Sequence, residues 1–181
     1  MALVESLKGH LLVADAGLYD PNFRKTVVLV AEHNDEGALG VVLNQRSGLT
    51  LGDAVPDLAL TLGDADLFVG GPVMADAVVV IADLGDPGRL DLPILGTVGF
   101  VTSSFGSGLP EGFRAARVFA GYSGWAAGQL EFELAGDSWL TLPALPADAF
   151  ADPDHLWVDV VRRLGEGHRL LATLPLDPKM N

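Results

Sequence analysis

Short runs of aliphatic residues, rich in valine, recur along this chain and limit the folds open to it. Residues 10–15 (HLLVAD), 26–33 (TVVLVAEH), 38–44 (ALGVVLN) and 77–82 (AVVVIA) each read as a strand, because β-branched side chains pack well on a pleated surface. The polar link His33 to Gly37 is so short that the second and third runs form a hairpin. Residues 97–102 (TVGFVT) read as a further strand, and 67–69 (LFV) feed a Gly70-Gly71-Pro72 turn. Ser47 to Thr50 reads as a loop, 51–60 as a short helix limited by Pro56, and 103–113 as an exposed, mobile loop. Residues 114–120 re-enter ordered structure.

Helical signals lie in the second half. Residues 153–164 form the clearest helix: Asp152 caps it, Pro153 takes the first position, and Trp157, Val160, Val161 and Leu164 recur at helical spacing. Arg162 and Arg163 suit its last turn, and Gly165 ends it. The segment 124–136 fits strand alternation or a helical face, and its Ala, Gln, Leu and Glu content favours helix. Residues 168–174 read as a final strand. No linker divides the 181 residues, so the expectation is one α/β domain spanning 1–181, a mixed or antiparallel sheet packed with a few helices.

Composition narrows the function. The formal charge is -13 and there is no cysteine, which removes disulfides, thiolate chemistry and Cys-bound zinc. Residues 47–88 carry Asp53, Asp57, Asp64, Asp66, Asp76, Asp83 and Asp86 with no Lys or Arg. Residues 118–161 repeat the pattern with Glu131, Glu133, Asp137, Asp148, Asp152, Asp154 and Asp159. Such stretches repel a phosphate backbone, so no direct nucleic-acid contact is expected. No run approaches the ~20 apolar residues that span a bilayer, and Met1 to Ala14 lacks a signal-peptide pattern. A cytoplasmic location without membrane contact follows as an expectation.

No catalytic motif is complete. Gly121-Tyr122-Ser123-Gly124-Trp125 lacks the glycine that a nucleophile elbow places two residues after its serine. Ser123 therefore reads as structural, at a turn or helix cap. His33 lies among Glu32, Asp35 and Glu36 and reads as turn chemistry. His155, among Asp152, Asp154 and Asp159, reads as a charged helix-end residue. Glu131 and Glu133 read as a solvated acidic face, and Trp125, Trp139 and Trp157 as packing residues. No cofactor, metal ligand set or catalytic residue is assigned.

A series of short segments nevertheless carries a family resemblance. They are Gly9-His10-Leu11-Leu12-Val13-Ala14, Asp20-Pro21-Asn22-Phe23, Glu32-His33-Asn34, Gly37-Ala38-Leu39-Gly40 and Val41-Val42-Leu43-Asn44. Leu51-Gly52, Phe68-Val69-Gly70-Gly71-Pro72-Val73, Gly121 to Trp125, Gly128-Gln129-Leu130-Glu131 and Ser138-Trp139-Leu140 complete it. In order and spacing the chain resembles the YqgE/AlgH family of bacterial proteins from about residue 9 to 140. The resemblance implies one α/β unit with a strongly coiled sheet. It implies no reaction, and the transcriptional-regulator label some members bear fits an indirect role better than operator contact. The family reads Asn, a basic residue, then Pro where this chain has Asn44-Gln45-Arg46, which leaves a less rigid turn.

Three functions follow, in order. The first is a non-enzymatic interaction or indirect regulatory factor with a protein partner, favouring a basic surface. The second is a small-ligand binder or weak hydrolase, its groove drawn from His33, Asn44, Gly70, Gly71, Tyr122, Trp125, Gln129 and Glu131. Direct transcriptional regulation comes last, because of the charge. Oligomeric state is left open.

Overall fold

The computed structural model describes residues 5–15, 25–101 and 109–165. Ten strands form one sheet: β1 (His10–Ala14), β2 (Val27–Asn34), β3 (Gly37–Val42), β4 (Arg46–Thr50), β5 (Asp66–Val69), β6 (Val73–Asp83), β7 (Leu92–Leu95), β8 (Val98–Val101), β9 (Ala115–Ala126) and β10 (Trp139–Pro143). Four short helices accompany it: α1 (Leu51–Ala54), α2 (Pro56–Leu62), α3 (Gln129–Ala135) and α4 (Leu156–Arg163). The main strand order is β10-β1-β2-β3-β9-β6-β8-β7, with β4 on β5 and β5 on β9. The described pairs are antiparallel except β5 with β9.

The aliphatic runs are unbroken because the sheet is covered on both faces, which removes the need for a polar alternate position. Along β1, Leu11 and Val13 enter the main core with Val27, Leu29, Phe119 and the α4 residues Trp157, Val160 and Val161. Leu12 and Ala14 point the other way, into a cluster with Val28, Val30, Trp125, Leu130 and Trp139 under α3. A third cluster packs Leu51 and Leu58 of α1 and α2 on Val80, Ala82 and Val118.

Strand β9 organises the sheet. One of its edges pairs with β6, from Ala115↔Asp83 to Ala120↔Val78. Its other edge changes partner: Phe119 and Ala120 meet β5, whereas Ser123 to Ala126 meet β3. The change falls at Gly121, whose φ of 69° only glycine takes without strain. The sheet as a whole is curled, as the resemblance implies.

Helix α4 is tied down at both ends. Trp157 Nε1 donates to Ala14 O at 3.2 Å. Arg163 NH1 reaches both oxygens of the buried Asp148, at 2.7 and 2.9 Å. The helix starts at Leu156, later than expected, since residues 153–155 form a turn. Asp152 still serves that turn, its Oδ1 accepting from Asp154 N at 3.0 Å. Three strands escape the sequence pattern: β4, placed where a loop was expected, together with β7 and β10. The segment 124–136 divides, running as β9 to Ala126 and as helix only from Gln129. Of the expected loop 103–113, residues 103–108 lie outside the described residues, and Leu109 is buried rather than exposed. The expected strand 168–174 lies outside them too.

Candidate functional site

Helix α3 gathers half of the residues singled out from the sequence. Gly128 precedes it in the left-handed conformation at φ 75°, and Gln129 Oε1 accepts from Ala126 N at 3.0 Å, closing the turn from β9. Leu130 then packs inward. Glu131 and Glu133, two apart on a helix, diverge. Glu131 turns to β2 and Glu133 to the tryptophans of β9 and β10.

His33 belongs to β2 and is buried, its side chain 1% exposed, so it is not a turn residue. Its Nδ1 accepts the Leu7 N–H at 3.0 Å. That bond places the ring proton on Nε2, which donates to Glu131 Oε1 at 2.8 Å. The Glu131 carboxyl is held below its ordinary range, first by a hydrogen bond from its own backbone N–H and then by His33. Glu133 Oε2 accepts from Trp125 Nε1 at 2.9 Å and Trp139 Nε1 at 2.8 Å, while Oε1 accepts from Gln129 Nε2 at 3.0 Å. The two indoles meet edge to face, 6.3 Å between centroids and 77° between planes. The expected solvated acidic face is thus an internal clasp, because both carboxylates find buried N–H donors on neighbouring strands.

The clasp has a pH signature. A carboxylate whose folded pKa is depressed contributes stability that is present above its unfolded pKa and lost as pH falls through the folded one. Glu131→Gln should lower Tm at pH 7 by roughly 2–4 °C, a modest figure because the carboxylate is a third exposed. The gap should narrow only as pH falls beneath the ordinary carboxylate range and through the depressed folded pKa, where both proteins come to carry a neutral side chain. A Tm gap that does not narrow at all as pH is lowered toward acid unfolding, followed by calorimetry, contradicts the arrangement.

The other expected groove residues serve backbone junctions. Asn44 Oδ1 accepts from Val27 N at 2.9 Å and its Nδ2 donates to Lys25 O at 3.0 Å, which fixes the start of β2. Ser123 is a buried strand residue, not a turn or cap, and its Oγ donates to Gly70 O at 3.0 Å. Gly70 O also accepts the Val42 N–H at 2.8 Å. Gly71 lies against the backbone of Tyr122. No hydrogen bond joins Asn44 to the α3 set among the described residues. A shallow recess of about 220 Å³ beside the β2–β3 turn is lined by Trp125, but not by His33, Gln129 or Glu131. His155 matches its expectation: it precedes α4, exposed, with Nδ1 2.9 Å from Asp152 Oδ2, a bond that raises its pKa.

The larger cavity, about 420 Å³, lies elsewhere and involves residues that no sequence motif marks. Arg46, Phe68, Phe113 and Arg117 are among its walls. Arg46 Nε donates to Asp66 at 2.8 Å and its NH1 to Asp154 at 2.6 Å, so the position expected to be loose is clamped. Arg117, half-buried on β9, stacks its guanidinium 4.4 Å from the Phe68 ring centre. It donates to Leu43 O at 3.2 Å and Ala151 O at 2.8 Å. Burial pushes its pKa down to about 10, which leaves it charged at neutral pH. The overlooked signal was a lone cation inside an otherwise apolar strand run, Ala115 to Ala120.

Fold and site together define a class: a curled, mainly antiparallel half-barrel with a few helices, its polar clasp closed under α3. The AlgH-like family profile matches residues 11–169, and the chain belongs to that family. A UPF0301 protein of Mycobacteroides abscessus is 40% identical over 96% of this chain and 87% of its own. UPF0301 protein SCO2948 of Streptomyces coelicolor is 38% identical over 100% and 98%. Among solved structures, protein DIP2367 of Corynebacterium diphtheriae superposes with TM-score 0.84 at 28% identity, covering 96% of this chain and 95% of that one. The AlgH protein from Pseudomonas aeruginosa gives 0.72 at 34% identity, covering 98% of each. The resemblance read from the segments is therefore correct, and so is the coiled sheet it implied. No described helix is long and apolar enough to cross a membrane.

Proposed function

We propose that this protein acts in the cytoplasm by binding a protein partner, and exerts any regulatory effect through that partner rather than by catalysis or DNA contact. One observation carries the reading: the chemistry-bearing side chains are engaged within the fold. His33 uses both ring nitrogens, Glu133 holds two indoles and a glutamine amide, and Ser123 donates to a backbone carbonyl. A general base needs a nitrogen or oxygen that can reach a substrate proton, and these have other work. Asp53, Asp57 and Asp64 meanwhile stand exposed around α1 and α2, beside Leu60, which is 88% exposed. Exposed carboxylates on the same pair of helices as an exposed apolar side chain suit a basic protein surface.

The test is affinity capture from bacterial extract at graded salt, comparing the wild-type chain with an Asp53→Asn/Asp57→Asn double variant. A saturable protein partner is expected, bound by the wild type at low salt, released as salt rises, and held at least roughly tenfold more weakly by the variant. Failure to find any saturable protein partner, or retention of duplex DNA by the purified chain, defeats the reading.

A further inference from the structure

The cavity bounded by Arg117 and Phe68 lies apart from the clasp and beneath α1 and α2, and its chemistry differs from that of the exposed carboxylates on those helices. Its volume, about 420 Å³, lies within the range of small-molecule sites, roughly 300–1,000 Å³. Leu51, Leu62, Phe68 and Phe113 supply apolar wall. Its two cations are not equivalent. Arg46 is already neutralised by two aspartates, one of which, Asp66, also lines the cavity. Arg117 forms no ion pair with any described residue, and only backbone carbonyls accept from it. Two of its five N–H groups are used, so three remain to meet an acceptor.

We propose that this cavity is a binding site for a small organic monocarboxylate, whose anion pairs with Arg117 and whose apolar body lies against Phe68 and Phe113. A planar carboxylate matches the guanidinium fork, and a half-buried, unneutralised cation gains more from such a pair than a solvated one does. The walls favour a single negative charge: Arg117 is the lining cation that makes no ion pair with a described residue, and Asp66 disfavours a second anionic charge. The reading goes beyond partner binding and is tested separately, because the substitutions that probe it leave Asp53 and Asp57 in place.

Benzoate is the probe, with benzamide as its uncharged isostere and inorganic phosphate as a more highly charged anion. The readout is the backbone amide NMR spectrum of the full chain at pH 7. Saturable shifts are expected at Phe68, Phe113 and Val118 with benzoate, and binding of benzamide and phosphate at least roughly tenfold weaker. Arg117→Gln retains amide donors for the two carbonyls and removes the charge. Ala65→Trp fills the cavity from an exposed wall position and leaves Arg117 in place. Each should weaken benzoate at least roughly tenfold, and either alone suffices if the other fails to fold. The proposal is overturned by an absence of saturable benzoate shifts, by benzamide or phosphate binding as tightly as benzoate, or by benzoate affinity unchanged in a folded variant.

Discussion

Replacing Gly71 with alanine should cost about 4 kcal/mol or more, enough to remove most of the stability of an ordinary domain. The backbone at Gly71 has φ 154°, and a Cβ there would lie far inside contact distance of the Tyr122 carbonyl and of Ser123 Oγ. Most of these atoms are backbone of β9, so the strain cannot be relieved by a side chain swinging away. Displacing β9 would break the Ser123 bond to Gly70 O, and with it the junction that also holds Val42. Gly48 is the control. It has φ 86° and open space within 4 Å of the place a methyl would occupy, so alanine there meets only the left-handed penalty. That penalty is roughly 1–2 kcal/mol. Denaturant titration of the two variants checks both figures. A Gly71→Ala protein as stable as Gly48→Ala would show that the turn after β5 and strand β9 do not close on each other as described.

Glu133→Ala should be nearly as damaging, at about 2–5 kcal/mol. Truncation strands the Nε1–H of Trp125 and of Trp139, residues only 6% and 5% exposed. Each buried unsatisfied donor costs roughly 1–3 kcal/mol. Gln129 loses its acceptor as well, but it is exposed and water replaces the bond. Glu133→Gln keeps a carbonyl oxygen for the indoles and should cost about 1 kcal/mol. The near-ultraviolet circular dichroism band from the edge-to-face indoles should weaken in the alanine variant and persist in the glutamine one. Equal stability of Glu133→Ala and wild type would mean that the indoles find other acceptors.

The strands legible in the sequence are those whose burial on both faces left an unbroken aliphatic run, as in Leu11 to Ala14 and Val27 to Ala31. The others carry a weaker imprint. Strand β4 is largely exposed and polar, β7 contains Pro93, and β10 ends on Pro143. Trp125, Trp139 and Trp157 were legible as packing residues because large aromatic side chains seek burial whatever their partner. His33 and Glu131 were not, since each looks locally like part of a polar, solvated stretch and their bond spans 98 residues. Arg117 was not legible either, because its meaning comes from the ring of Phe68 on a neighbouring strand. The family segments supplied the curl of the sheet, which no local pattern encodes.

Strand β1 sits between β2 and β10, paired with Leu29 on one side and with Leu142 on the other. Its outer edge therefore waits for β10, which is made late, at Trp139–Pro143. At ribosomal rates of about 5–20 residues per second, some ten seconds pass between the synthesis of His10 and that of Pro143. Throughout that interval the nascent chain presents an aliphatic strand with a free row of backbone donors and acceptors. This protein should accordingly depend on holding chaperones during translation more than an equally stable chain whose sheet is completed in sequential order.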